Sequence, residues 1–324
     1  MKNFALIGAA GYVAPRHLQA IHDTKNVLVA ALDKNDNVGV LDSFFPDSKF
    51  FTETELFDRY LEKLKYNHNK QMDFFSICTP NYLHDSHIRI ALRREADAIC
   101  EKPLVLNPWN VDALEKIENE TQRKIWNILQ LRLHPSILKL KKMVDNSDPN
   151  KVFDIDLAYI TSRGIWYYSS WKGNLEKSGG IATNIGVHFF DMLSWVFGDL
   201  DDIKLHIHEH DRASGFLGFK RARVRWFLSI DYDSIPENIK LSGKRTYRSI
   251  KVENKELEFS TGFKDLHTKL YEQILLGNGF GLSETRKSIE IIHKIRNMAK
   301  SPLIGDYHPF AKFKLKKHPF TKYF

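Results

Sequence analysis

The sequence predicts an α/β chain in two parts, a doubly wound parallel sheet over residues 1–129 and an α+β domain over residues 130–324 with a large, mainly antiparallel open sheet. Three observations predict it. Short apolar runs alternate with helix-like segments from Met1 to Leu129; after Leu133 the rhythm changes to strand-rich sequence; and 324 residues, 43% of them hydrophobic, exceed what one core usually serves. Met1 to Gly8 runs straight into a strand pattern with no secretory leader ahead of it. No window holds the roughly 18 uninterrupted apolar residues of a membrane helix. A soluble, cytoplasmic protein is expected. The two cysteines, Cys78 and Cys100, fall in expected buried strands and lack C-x-x-C spacing, so a redox pair would require those strands to be neighbours.

Asn3 to Ile7 is an apolar strand leading into Gly8-Ala9-Ala10-Gly11-Tyr12-Val13-Ala14 and a helix from Pro15 to Asp23. Strand, small-residue turn and helix together bring backbone N–H groups against a pyrophosphate. The spacing is G-x-x-G-x-x-A, one residue longer between the first two glycines than in G-x-G-x-x-G. The second strand, Val27 to Leu32, ends in Asp33, 25 residues beyond Gly8. A carboxylate there accepts from adenosine ribose hydroxyls and repels the phosphate of NADP, so the expected cofactor is NAD. Lys49 to Phe51 is a third strand, and a helix follows from Glu53 to about Tyr66. Asp73 to Cys78 is the fourth strand, ending in the polar turn Thr79-Pro80-Asn81-Tyr82-Leu83-His84. Helices from His84 to Arg94 and Pro108 to Thr121 flank the strand Ala98 to Cys100, and Ile125 to Leu129 is the sixth strand.

The stretch Ala98-Ile99-Cys100-Glu101-Lys102-Pro103-Leu104 places Lys102 at the carboxyl end of a buried strand, the edge where open parallel sheets bind ligands. An ammonium there polarises a substrate hydroxyl or stabilises a developing alkoxide.

In the second part a helix from Pro135 to Val144 leads through Asp145-Asn146-Ser147-Asp148-Pro149-Asn150 into strands at Val152 to Thr161, Ile203 to His210, Arg221 to Ile230, Thr246 to Glu253 and Glu256 to Phe259. Within Arg221 to Ile230, Ala222, Val224, Trp226, Leu228 and Ile230 share one face, with Arg221, Arg223 and Arg225 opposite. Helices from Asp265 to Leu276 and from Ser283, a cap residue, to Lys300 close this domain. The basic, aromatic tail from Gly305 to Phe324 is expected to lie over another part of the protein. Between the first two of these strands, Asn184, His188 and Asp191 recur at helical spacing after the pair Gly179-Gly180. His188 is the candidate general base and Asp191 its orienter. His206, His208 and His210 alternate along a strand, and no metal is expected from them.

Gly8 to Ala14, Thr79-Pro80-Asn81, Glu101-Lys102-Pro103 and Gly180 to Asp191 together resemble the glucose-fructose oxidoreductase (Gfo/Idh/MocA) family over the whole chain. Within it, Gly8 to His17, Leu129 to Pro135 and Ser178 to Asp191 are similar to the dehydrogenases that oxidise the C3 hydroxyl of UDP-N-acetylglucosaminuronic acid on the route to diacetylated mannuronic acid in O-antigens. The resemblance implies NAD contacts at Gly8, Ala10, Gly11, Tyr12, Val13, Asp33, Thr79, Pro80, Asn81, His84, Glu101 and Lys102, with Lys102 and His188 catalytic. It implies substrate contacts at Lys102, Arg163, Tyr168, Lys172, Thr183, Asn184 and His188, no metal, a homotetramer, and 2-oxoglutarate as an oxidant that recycles NADH. Many relatives carry Asp where this chain has Asn184, which removes a carboxylate from the proton path.

The net charge of +8 and pI near 9.2 suit a UDP-sugar acid, which carries a pyrophosphate and a carboxylate. A nucleic-acid partner is disfavoured because the basic residues are dispersed. A free sugar or inositol as substrate, and a nonenzymatic NAD sensor, stay open as alternatives.

Overall fold

The computed structural model describes residues 1–257, 259 and 262–321. Glu258, within the expected strand Glu256 to Phe259, and the tail residues 322–324 lie outside them. Two compact units form, Met1–Leu133 with Asp265–Ile289 and His134–Lys264 with Glu290–Phe324.

The first unit carries a parallel sheet of β1 (Asn3–Ile7), β2 (Val27–Leu32), β3 (Lys49–Phe51), β4 (Phe74–Ile77), β5 (Asp97–Cys100) and β6 (Ile125–Asn127), in the order β3-β2-β1-β4-β5-β6. The order reverses between β1 and β4, so the turns after β1, β4 and β5 share the sheet edge where ligands bind. Helices α1 (Ala14–Asp23) and α2 (His84–Arg93) follow the turns after β1 and β4. The strands read as unbroken apolar runs because both faces are covered. Phe4, Ala5, Leu6, Phe75 and Ile99 are all fully buried. Cys78 and Cys100 do lie on neighbouring strands, but both are free and buried, and burial pushes both thiols well up, which keeps them protonated.

One expectation about the domains needs correction. The sequence pattern assigns residues 265–289 to the second domain, whereas they belong to the first unit. Its helix, Leu266–Leu275, buries Leu266, His267, Leu270, Tyr271 and Ile274, and Tyr271 stacks on Phe4 of β1 with ring centroids 6.0 Å apart. The next helix, Leu282–Asn297, begins before Ser283. Ser283 therefore does not cap it; its hydroxyl donates to Glu284, whose carboxylate also accepts the Gly281 N–H at 2.9 Å.

The second unit holds β7 (Phe153–Thr161), β8 (Leu200–His208), β9 (Arg212–Phe219), β10 (Ala222–Ser229), β11 (Thr246–Val252) and β12 (Lys255–Glu256), ordered β12-β11-β7-β10-β9-β8. All pairs are antiparallel except β7 with β10. Strand β9 was not expected: Gly215 and Gly218 and the charged Arg212 disguise it. Gly215 is required there, since a Cβ would stand 2.2 Å from the Lys204 carbonyl oxygen and 2.9 Å from the Trp226 ring. Arg212 is buried against Asp211 and Asp231.

Ala222, Val224, Trp226 and Leu228 are fully buried on one face of β10. On the other face, Arg225 pairs with Asp156, Arg223 pairs with Asp306, and the tail crosses the sheet to pack His308, Phe310 and Phe313 against Phe227. The tail therefore covers part of its own sheet. No described helix is long and apolar enough to cross a membrane.

Candidate active site

In the first unit the turn after β1 is shaped for close backbone approach. Gly8 has φ +96°, and a Cβ there would stand 2.7 Å from the carbonyl carbon of Cys78 and 2.8 Å from the Thr79 nitrogen. Only glycine fits both the angle and the gap. Gly11 is also confined: a Cβ there would stand 3.0 Å from the Cys78 and Gly8 carbonyl oxygens. Pro15 then fixes the first turn of α1. Asp33 at the end of β2 accepts the Ala10 N–H at 3.0 Å and the Asn35 N–H at 2.9 Å, so its carboxylate borders the glycine turn. Val13 is half-buried and Tyr12 is 87% exposed.

The turns after β4 and β5 are tied together from behind. His84, fully buried at the start of α2, sets Nε2 2.8 Å from the Thr79 carbonyl oxygen and Nδ1 2.8 Å from that of Pro103. Burial lowers its pKa against the pull of those two carbonyls. A neutral ring donates to one of them and an imidazolium to both. His84 is thus a strut between the two turns, with both nitrogens facing inward. Thr79 places its hydroxyl 2.9 Å from His87, Pro80 is half-buried, and Asn81 is buried.

Glu101 is also turned inward. Its Oε1 accepts from Nε2 of His17 at 3.1 Å and Nε2 of His267 at 3.0 Å, and its Oε2 accepts the Lys102 N–H at 3.3 Å. With Nε2 protonated, His17 accepts the Tyr271 hydroxyl at Nδ1 (2.6 Å), and Tyr271 in turn accepts from Ser76 at 2.6 Å. Ser76, Tyr271, His17, Glu101 and His267 then form one continuous hydrogen-bonded chain. Burial opposes ionisation of Glu101, but the hydrogen bonds and charge of the two histidines hold its carboxyl well below the usual range. Burial lowers His17. His17, Glu101 and His267 alone among the described residues cluster as metal ligands would, and here Nε2 of both histidines is engaged with the Glu101 carboxylate. Lys102, half-buried, follows directly on this anchored carboxylate and precedes Pro103 through a cis peptide bond.

The sequence showed Glu101 but not its partners. A signal existed: His17 lies on the buried stripe of α1 with Ala14, Leu18 and Ile21, and His267 on the stripe that carries Leu270 and Tyr271. A titratable residue on an apolar stripe calls for a buried partner.

In the second unit the expected single helix through Asn184, His188 and Asp191 is two. Gly180–Asn184 is a short helix, and α3 (Val187–Phe197) starts after a break at Ile185 and Gly186. Gly186 packs so tightly that a Cβ would lie 2.3 Å from the Ala182 carbonyl oxygen. His188 and Asp191 thus share the first turns of α3 while Asn184 ends the preceding helix, its amide 3.5 Å from the Tyr167 hydroxyl. Asp191 and Thr183 are buried, and the Thr183 hydroxyl has no hydrogen-bond partner among the described residues. Gly179 and Gly180 both have positive φ, and a Cβ on Gly179 would collide with Thr183 at 2.5 Å.

The loop after β7 carries Arg163, Tyr168 and Lys172. Arg163 is exposed and its N–H bonds the Ile230 carbonyl oxygen at 2.9 Å. The Lys172 ammonium sits 4.7 Å above the Trp171 ring, and burial followed by the Arg163 charge lowers its pKa. Tyr168 packs edge-on against His318 of the tail. The three histidines do not converge, and His210 lies beyond the end of β8 rather than on the strand as expected: His206 lies between the Ser301 and Asp306 carbonyls, His208 approaches Gly180, and His210 packs on Tyr168.

A family model described as an oxidoreductase family with an NAD-binding Rossmann fold matches residues 2–128, and the C-terminal alpha/beta domain of that family matches residues 141–241. This chain belongs to the Gfo/Idh/MocA oxidoreductase family. The Gfo/Idh/MocA assignment agrees with two solved structures of the WlbA (WbpB) dehydrogenase from Thermus thermophilus. One is a complex with NAD and alpha-ketoglutarate and the other with NAD and UDP-GlcNAcA. Each is 48% identical, covers 96% of this chain and 100% of that one, and the TM-scores are 0.92 and 0.91. Inositol 2-dehydrogenase of Rhizobium meliloti (strain 1021) is 27% identical over 128 residues, 40% of this chain and 37% of that protein. The chain spans between 36% and 54% of the length of the curated relatives it matches.

Proposed function

We propose that this protein is an NAD-dependent dehydrogenase that oxidises the C3 hydroxyl of UDP-N-acetylglucosaminuronic acid to the 3-keto sugar. The observation that carries this reading is the 48% identity over 96% of the chain to a dehydrogenase whose structure holds NAD and UDP-GlcNAcA. The glycine turn suits such a cofactor: Gly8 and Gly11 let the turn after β1 pack closely on the Cys78–Thr79 backbone ahead of α1, and Asp33 borders that turn as the acceptor for the ribose hydroxyls. Ala10, Tyr12 and Val13 line the same turn, and Thr79, Pro80 and Asn81 the next one. When bound, NAD supplies the nicotinamide C4 that accepts the hydride leaving the sugar carbon.

The remaining steps belong to the side chains. His188 takes the hydroxyl proton as the carbonyl forms, and Lys102 supports the alkoxide-like oxygen. Glu101 and His84 act on Lys102 by position: one fixes its backbone N–H, the other fixes the Pro103 carbonyl. Arg163, Tyr168, Lys172, Thr183 and Asn184 hold the substrate, with Arg163 on an anionic group. The homologue's complex with alpha-ketoglutarate supports recycling of NADH by that oxo acid. We assign the reaction to the cytoplasm, to diacetylated mannuronic acid synthesis for O-antigens, and to a homotetramer.

The test is a single turnover. Purified protein with bound NAD is mixed with UDP-N-acetylglucosaminuronic acid, and NADH absorbance is followed before and after 2-oxoglutarate is added. Absorbance that rises and then falls supports the reading. Reduction by inositol or a free sugar, with none by the UDP-sugar acid, overturns the substrate. Light scattering that reports a monomer at micromolar concentration overturns the tetramer.

A further inference from the structure

We infer that a cavity in the second unit, beside the ends of β7 and β10, binds the diphosphate of a nucleotide-linked substrate, and that the C-terminal arm supplies part of its charge. This rests on the sugar-nucleotide reading above. The cavity measures about 390 Å³, within the usual range for small-molecule sites. Four cations line it, Arg163, Arg245, Lys316 and Lys317, and so do two acids, Asp211 and Asp231.

The acids do not neutralise the site, because both are already engaged. Asp211 accepts from Arg212 at 2.6 Å, and Asp231 accepts from Arg212 at 3.1 Å and from Lys316 at 2.9 Å. Lys316 also pairs with Asp233. Arg163, Arg245 and Lys317 remain, and none of them has an ion-pair partner among the described residues. Among the described residues the Arg245 guanidinium donates to the Ser162 hydroxyl at 3.2 Å, and it lies over the Tyr232 ring. Three cations from separate parts of the chain, at one concavity whose acids are paired with Arg212 and Lys316, repel one another. A ligand carrying two adjacent negative phosphates relieves that repulsion and gives each cation charge-assisted hydrogen bonds, with the guanidinium forks matched to phosphate oxygens. A single carboxylate would leave most of the charge uncompensated.

The experiment is calorimetric titration of the NAD-loaded full-length protein with UDP, repeated on the double variant Arg245→Gln/Lys317→Gln. Neither residue carries the catalytic step. Loss of two charged hydrogen bonds should raise the Kd for UDP by about tenfold or more. NAD affinity should stay within twofold, and KM for the UDP-sugar acid should rise by more than kcat falls. If the wild type turns over the UDP-sugar acid while the variant keeps both Kd and KM within twofold, the subsite is wrong and the proposed reaction stands. If UDP binds and the variant weakens it, but the wild type never reduces NAD with the UDP-sugar acid, the subsite stands and the reaction falls. Absence of UDP binding to the wild type overturns the subsite.

Discussion

The buried cluster at Glu101 and the cationic cavity at Arg163 treat charge in opposite ways. Glu101 is 7% exposed, and each of its oxygens meets a donor from within the same unit. Arg163, Arg245 and Lys317 lie on exposed loops and the arm, and form no ion pair among the described residues, the cavity's acids being paired with Arg212 and Lys316. The physics allows both. A buried ion must be paired by the fold because water cannot reach it, whereas an exposed cation is solvated until a ligand arrives. The first arrangement fixes geometry before any substrate binds; the second supplies attraction that the substrate completes.

The strongest way to break this comparison is to remove the buried charge. Glu101→Gln strips His17 and His267 of a shared anion and should cost about 3–5 kcal/mol of stability, whereas Arg163→Gln should change it by no more than about 0.5 kcal/mol. Urea denaturation of both variants measures the contrast, and equal midpoints would erase it.

The arm that brings Lys317 to the cavity is itself anchored by a buried group. Burial first, with the Arg225 and Lys251 charges assisting and Asp156 opposing, lowers the His308 pKa from 6.5 to about 4. The folded state therefore resists its protonation. The contribution is fully present above pH 6.5 and is lost as the pH falls toward 4, by at most about 3 kcal/mol. His308→Gln should flatten that part of a stability profile. An unchanged profile would mean that the arm does not depend on a neutral histidine.

Catalysis sharpens the comparison further, since Lys102 follows the fixed cluster. Lys102→Met and His188→Asn should each lower the single-turnover rate by about 10²-fold, roughly 2.7 kcal/mol, with NAD and UDP-sugar binding within a few-fold. Wild-type rates in both variants would move the reaction centre elsewhere.

The smallest effect concerns Asp33, whose environment falls between the two. It is half-buried and held by the Ala10 and Asn35 N–H groups. Asp33→Ala should weaken NAD by about tenfold, near 1.4 kcal/mol, and narrow its advantage over NADP. Comparative titration with the two cofactors measures it, and wild-type protein that prefers NADP contradicts the role given to Asp33.

Much of the candidate site was legible in the chain. Strand ends and breakers mark Gly8, Gly11, Asp33 and Lys102 locally, and the structure puts Gly8, Gly11 and Asp33 at one turn. Glu101 and His84 were also found, but as cofactor contacts. Their inward orientation depends on partners that local sequence does not display: the carbonyls of Thr79 and Pro103 for one, His17 and His267 for the other. Strand β9 was hidden for a related reason. Its glycines are set by close packing with Lys204 and Trp226 on the neighbouring strands rather than by any preference of their own.

By itself the sequence determined the six parallel strands of the first unit, the mainly antiparallel sheet of the second, and the residues that mark the cofactor turn, because periodicity, turn chemistry and strand ends are properties of neighbouring residues. Only the tertiary structure decided where charge is buried and where it is left exposed. It carried residues 265–289 back to the first unit, set His267 against Glu101 across a separation of 166 residues, split the helix at Gly186, and brought Arg163, Arg245 and Lys317 to one cavity. Pairing a buried ion and gathering cations both depend on distances through space, and no local pattern in the chain records those distances.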